Sequence, residues 1–486
     1  MAVPVARCLP LEASAQELFE AAGWDTSCAL LESPRLSPST GRYSVLVGNP
    51  YAVLTAKAGE ITLQRGPTAE SFQGNPLTVV QDLLREKPVR RMDGFPPFVG
   101  GGVGFLGFDA YRYLEPLPFL AEDDLGLPDV GFLFFDEAAV CDHLLGKLWL
   151  IALADPAEGA RGYDRAAGRV EELAGRLTGC PPDQERFRRP FTLRPLPFAI
   201  QSTHTRVSFE RMVREAKEFI ARGEIYQANL SQRFSLPLMD NPWFLYRRLT
   251  QVNPSPFACF GDFPGRRPGE RFQVVSASPE RLFRVRNRLI ETRPIAGTRP
   301  RGRTPVQTAL LRQELILNEK ERAEHLMLVD LERNDLGRVC RFGSVEVDEL
   351  MVLEEYSHVI HIVSNVRGML KPAARFQDLA AAVFPGGTVT GCPKIRCVEI
   401  IDALEPVRRQ LYTGSLGYIS FSGDIDFNIL IRTGLAAGGS IHVHAGAGIV
   451  ADSDPSREFE ETLHKAQALL DVFSCAPETV AGHACP

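Results

Sequence analysis

At 486 residues the chain exceeds what one small core accommodates, so it implies two or three domains or one large body of mixed helix and strand. Hydrophobic residues at 44% and charged residues at 23% are the proportions of an ordinary globular protein. The formal net charge of −6 argues against a general nucleic-acid binder, which carries a basic footprint.

The first residues, MAVPVARCLPLEASAQELFEA, lack the sustained apolar run of a secretory signal. SAQELFEAA has helical spacing, and CALLES and GRYSVLVGNP alternate as strands do. Glu32 and Ser33 close an apolar strand, a position suited to ligand contact and equally to polar groups facing water. YAVLTA and EITLQR predict a strand pair, and PLTVVQDLLRE a helix. The glycines between Gly100 and Gly107 lack the strand–GxGxxG–helix context of a dinucleotide site; they predict a buried strand that another backbone approaches closely. VGFLFFDEAAVCDH and KLWLIALA read as strands, the latter far too short to span a bilayer, and GYDRAAGRVEELAGRLTG as a helix. Five prolines between Gly179 and Ser202 mark a linker. The next helix has Ser208 as its expected N-cap and ends near Gly223. Strand and helix then alternate to about Phe473 without a repeat period, and a disordered tail is expected beyond it. This divides the chain into an N-terminal region (1–178), a linker (179–204), a C-terminal region (205–473) and a tail (474–486). The ten cysteines form no CxxC pair, which suggests neither a zinc site nor a disulfide framework, and a reducing cytoplasm is the simplest location.

Several constellations bear on chemistry. ETRPIAGTRPRG (291–302) is turn-rich and clusters Arg293, Thr298, Arg299 and Arg301, groups that suit an anion; alone, it reads equally as a solvated hairpin. Glu321 and Glu324 lie three apart on a predicted helix, as do Glu458 and Glu461 on another, with Lys465 four residues further on. Either pair alone suits a solvated helix face. Two pairs facing one cleft would suit magnesium, which takes oxygen ligands. His358 and His361 sit on opposite faces of a predicted strand, so one can point inward as an acid/base group. FPGGTVTGCPKIRCVEII runs from a glycine-rich turn into a helix, whose amides can receive an anion. Tyr418 and Arg432 fall on predicted strands, and Gly446 and Gly448 on a glycine-rich run. Together these describe a site for a small polycarboxylate.

As an ordered set, KERAEHLMLVDLERNDLGRV, YSHVIHIVSNV, FPGGTVTGCPKIR, TGSLGYISF, ILIRT, AGAGIVADS and EETLHKA resemble the chorismate-binding enzymes over about residues 205–473. That family includes anthranilate, aminodeoxychorismate, isochorismate and salicylate synthases. LLES and GRYS resemble the N-terminal region of the two aminating members. The resemblance implies an α+β fold, an α/β sandwich of two large, mainly antiparallel sheets with outer helices. It implies Glu324 and Glu461 as direct magnesium ligands, supported by Glu321 and Glu458. His361 would assist departure of the 4-hydroxyl, with Thr298 and Thr388 lining the pocket. Tyr418 and Arg432, with the amides around Gly446 and Gly448, would hold a substrate carboxylate, and Lys465 would add positive charge. Leu31, Glu32, Ser33, Asn253 and Pro254 would form a candidate tryptophan pocket.

The implied reaction is replacement of an allylic hydroxyl of chorismate by ammonia. FPGGTVTG, SPERL, DLERND and NPSPFACF resemble the aminodeoxychorismate group, and Ala258 stands where tryptophan-inhibited anthranilate synthases usually have methionine. Ala296 instead resembles anthranilate synthases, because aminodeoxychorismate synthases often carry lysine there. Amination giving 4-amino-4-deoxychorismate is the expected activity, with anthranilate formation as the alternative. A non-catalytic relative that binds tryptophan or another carboxylate is a third reading of a different class. No glutaminase motif is evident, so a separate glutamine amidotransferase subunit is the expected source of ammonia.

Overall fold

The computed structural model describes residues 1–24, 26–33, 41–179, 200–302, 304–355 and 359–474. Among them the strands form two sheets of twelve strands each, with antiparallel neighbours throughout. Val130–Phe135 is buried at every position, as a strand covered on both faces must be. Phe105, Phe263, Phe272 and Leu416 fill the layer between the sheets, and Phe105 meets Phe263 edge-on at 5.0 Å. Helices close the outer faces. Helix Ala160–Thr178, for example, buries Val170, Leu173, Ala174 and Leu177 at three- and four-residue spacing.

Both regions of the chain build both sheets. Cys28–Glu32 pairs with Phe257–Pro264 in one sheet, and Gly101–Leu106 pairs with Ser415–Ser420 in the other. Gly101–Leu106 is the expected glycine-rich strand: a Cβ on Gly104 would lie 2.2 Å from the Gly131 carbonyl oxygen.

Some elements differ from expectation. The N-cap of helix Arg206–Ala221 is Thr205, which accepts from the Ser208 amide; Ser208 is the third helical residue and bonds back to Thr205 N. Gln201 and Ser202, expected in the linker, form a short strand against Ser235 and Phe234. The stretch 291–302 is mostly strand, Leu289–Thr292 and Ile295–Pro300. Thr68–Gln73 is an exposed edge strand, and without a buried face it has no apolar alternation to reveal it. Residues 180–199, His358 and residues 475–486 lie outside the described residues. No helix among the described residues is long and apolar enough to cross a membrane.

Candidate active site

The site begins at a bulge. Strand Ile295–Pro300 pairs with Val359–Met369, with Thr298 opposite His361 and a register shift between Ala296 and Thr298. Gly297, at the bulge, has φ +69, and a Cβ there would lie 2.9 Å from Glu321 Oε2. The glycine therefore lets the Glu321 carboxylate rest on the strand. Arg299 fixes it there, donating to Glu321 at 3.0 Å and to Glu314 at 3.0 Å. Thr298 Oγ1 and His361 Nδ1 share a 2.9 Å hydrogen bond. Burial lowers the His361 pKa and the nearby Arg432 charge adds to that, so the imidazole is neutral near pH 7.

Glu321 and Glu324 lie in the first turns of helix Glu319–Val339, whose N-cap Asn318 accepts from the Glu321 amide at 3.0 Å. Glu458 and Glu461 lie near the start of helix Pro455–Phe473. The Glu324 carboxyl is raised by burial, and the charges of Glu321, Glu458 and Glu461 add to the shift while Lys320 opposes it. Glu458 is also raised, by burial first and by Glu461. The folded chain thus gathers four carboxylates whose charges repel.

Beside them is a cationic cradle. Lys465 Nζ pairs with Glu461 at 2.6 Å and donates to the Gly446 carbonyl at 3.0 Å. Arg432 donates to the Lys465 carbonyl, is lowered by burial, and sits near both Tyr412 and Glu461. Arg432 was expected on a strand; it has φ +53 and lies between strands Ile425–Asn428 and Thr433–Ala437. Tyr412 stacks on His444 with centroids 5.1 Å apart. A Cβ on Gly446 would meet Asn229 Oδ1 at 2.5 Å and the Tyr412 hydroxyl at 2.8 Å, and one on Gly448 would meet Gln227 Nε2 at 2.8 Å. Thr388 donates to the buried Glu280 carboxyl at 2.9 Å, and burial pushes that carboxyl up to about 7.

Tyr418 is elsewhere. It faces a separate cavity of about 540 Å³ with Leu31, Glu32, Ser33 and Ala258. There its ring meets Phe98 edge-on at 5.3 Å. The tyrosine in the Arg432 cradle is Tyr412, six residues earlier in LYTGSLGY, and reading that whole stretch as strand conceals it. Tyr412 sits in a turn flanked by Gln410 at φ +53 and Thr413 at φ +58, and this turn aims it away from the strand that carries Tyr418. In the cavity, Glu32 is buried and accepts from Tyr246 Oη at 2.7 Å and Gln16 Nε2 at 2.8 Å, while Ser33 donates to the Pro256 carbonyl at 2.7 Å. Burial raises the Glu32 carboxyl. Pro256 and Phe257 line this cavity; Asn253 and Pro254 do not, since Asn253 instead caps helix Pro242–Val252.

Magnesium needs hard oxygen donors, and the four mutually repelling carboxylates provide them. A divalent cation would offset the burial and the repulsion that raise Glu324. Glu321 and Glu461 are held by Arg299 and Lys465, and among the described residues no three acidic, His or Cys side chains are close enough to grip a metal as placed. The chemistry of the donor set suits magnesium, while its placement leaves Glu321 with Arg299 and Glu461 with Lys465.

The sequence profile described as chorismate binding enzyme matches residues 27–471. The chain belongs to this family. It is 44% identical over 450 residues to aminodeoxychorismate synthase component 1 of Bacillus subtilis (strain 168), covering 92% of each chain. It is 40% identical over 464 residues to anthranilate synthase component 1 of Acetivibrio thermocellus, covering 95% of this chain and 93% of that one. The crystal structure of anthranilate synthase component I from Streptococcus pneumoniae TIGR4 superposes with a TM-score of 0.77 at 33% identity, over 90% of this chain and 93% of that one. The chorismate-binding family thus shares the two-sheet α+β architecture seen here.

Proposed function

We propose that this chain catalyses the magnesium-dependent amination of chorismate to 4-amino-4-deoxychorismate, using ammonia from a separate glutamine amidotransferase subunit. The observation that carries the reading is the pairing of a cationic cradle with an acidic, cation-attracting end. Arg432, Lys465 and the backbone at Gly446 suit one carboxylate of a dicarboxylate substrate. The four glutamates suit a metal that would take the other. The 44% identity to an aminodeoxychorismate synthase agrees with this product, and identities of 40% and 46% to anthranilate synthases agree equally with the second reading below.

In the reaction a C–N bond forms to ammonia, the C4–O bond breaks, the hydroxyl takes up a proton and leaves as water, and the new ammonium loses a proton. Glu324 and Glu461, supported by Glu321 and Glu458, would hold magnesium, which would supply charge neutralisation at the ring carboxylate. Arg432 and Tyr412 orient the second carboxylate. His361, oriented by Thr298, is suited to take up the proton that the entering nitrogen gives up and pass it to the departing oxygen.

A second reading, amination at C2 with loss of pyruvate to give anthranilate, is favoured by Ala296, which leaves no lysine amine on this strand at the bulge. In either reading the cavity with Glu32 and Tyr418 is proposed as a tryptophan pocket, its buried carboxylate facing an ammonium and its aromatic rings facing an indole. Product identity separates the two. The purified chain is incubated with chorismate, magnesium and an ammonium salt, and products are resolved by mass. Aminodeoxychorismate without pyruvate is expected; anthranilate and pyruvate would overturn the assignment. With glutamine replacing ammonium, turnover should require an added amidotransferase subunit.

A further inference from the structure

Behind the cradle lies a fully buried arginine that makes no hydrogen bond to the side chains assigned above to substrate or metal. Arg409 is 2% exposed and makes five hydrogen bonds. Two run to Glu405, at 2.9 and 2.6 Å. The others run to the Val389 carbonyl at 3.1 Å, Thr413 Oγ1 at 3.2 Å and the Asn229 carbonyl at 2.5 Å. Glu405 in turn accepts from Ser231 N at 2.7 Å and Ser231 Oγ at 2.9 Å.

Apart from Glu405, each gripped atom lies on or beside a residue around the cradle. Val389 follows Thr388 and Thr413 follows Tyr412. Asn229 places its own Oδ1 against Gly446. The guanidinium also lies over the Tyr412 ring, 5.6 Å from its centroid. Tyr412 stands between two non-glycine residues in left-handed conformations, Gln410 and Thr413, a turn the backbone does not favour by itself. A buried ion pair is seldom the most stable filling for such a space, because desolvation consumes most of its attraction. What it supplies is direction: a planar fork that ties its own stretch, 405–413, to the segments at Val389 and Asn229.

We infer that Arg409, locked by Glu405, is the positioning residue of the substrate cradle, setting Tyr412 over Gly446 and Asn229 beside it. This rests on the reading of that cradle as the chorismate carboxylate site. Arg409→Lys keeps the charge and removes the fork. It should raise KM for chorismate by up to about tenfold with little change in kcat. The double variant Arg409→Lys/Tyr412→Phe should be scarcely worse than Tyr412→Phe alone, because both act through one hydroxyl. Additive losses, or a fall confined to kcat, would overturn the inference. Ser231→Ala, a milder change, should move KM in the same direction by a smaller factor. A crystal structure of the Arg409→Lys chain needs no substrate and so tests the inference apart from the chorismate reading. Tyr412 displaced from His444 is expected; Tyr412 unmoved would refute it. Wild-type failure to turn over chorismate would sink the functional reading alone.

Discussion

At the scale of single residues, two tyrosines six apart serve different places. Tyr412 presents its hydroxyl at Gly446 beside Arg432, and Tyr418 faces the cavity with Glu32. Tyr412→Phe should raise KM for chorismate about tenfold, the usual effect of losing one hydrogen bond to a charged group. Tyr418→Phe should leave KM and kcat within about twofold, since its hydroxyl lies away from the cradle. Steady-state kinetics on both variants checks the assignment; the opposite ranking would return Tyr418 to the substrate site. Spacing alone could not decide between them, because the sign of φ at Gln410 and Thr413 turns Tyr412 off the strand, and polar side chains give little warning of a left-handed turn. The buried Arg409–Glu405 pair was equally hidden, since nothing local in the sequence says that the segments of Val389 and Asn229 close around it.

At the scale of elements, two helices from distant parts of the sequence bring their first turns together. The carboxylate pairs on Glu319–Val339 and Pro455–Phe473 were legible as i,i+3 faces. Their convergence was not, because nothing in either helix encodes its partner. Glu324→Gln and Glu461→Gln should each abolish magnesium-dependent turnover while leaving the melting temperature unchanged or slightly raised, as one member of a repelling group is removed. A magnesium titration of activity beside a thermal melt checks this, and retained activity in either variant removes the metal assignment. The strand Ile295–Pro300 shows the limit of reading by turn residues. Pro294, Gly297 and Pro300 suggested a turn, but the glycine is a bulge within a strand and its missing Cβ makes room for Glu321.

At the scale of the whole molecule, titratable groups sealed in the fold set a pH dependence of stability. Burial raises Asp109 and Glu280 each to about 7, and Glu332 is raised by burial and by Asp335. A carboxyl raised in the folded state binds its proton more tightly there than in the unfolded chain. Its contribution is fully present below the unfolded value and is lost as pH rises through the folded one. The share of the unfolding free energy carried by these three groups should therefore fall as pH rises from about 4 to 8, while His325 and His442, which burial lowers to about 4, work against it up to about pH 6.5. Denaturant melts across that range test it, and Glu280→Gln should flatten the slope; a rise in stability above about pH 6.5 would contradict the assignment.

The sequence by itself determined the elements with strong periodicity, the family through its ordered motifs, and the glutamates, His361, Arg432 and Lys465 as candidates, because helix and strand periods and short motifs are local properties of the chain. The tertiary structure decided which of them meet. It interleaved the N- and C-terminal regions in both sheets, sent Tyr418 to a second cavity and put Tyr412 in its place, and buried Arg409 among segments as far apart as Asn229 and Thr413. Those outcomes depend on long-range strand pairing and on the desolvation of charges by distant parts of the chain, and neither leaves a periodic mark in the residues themselves.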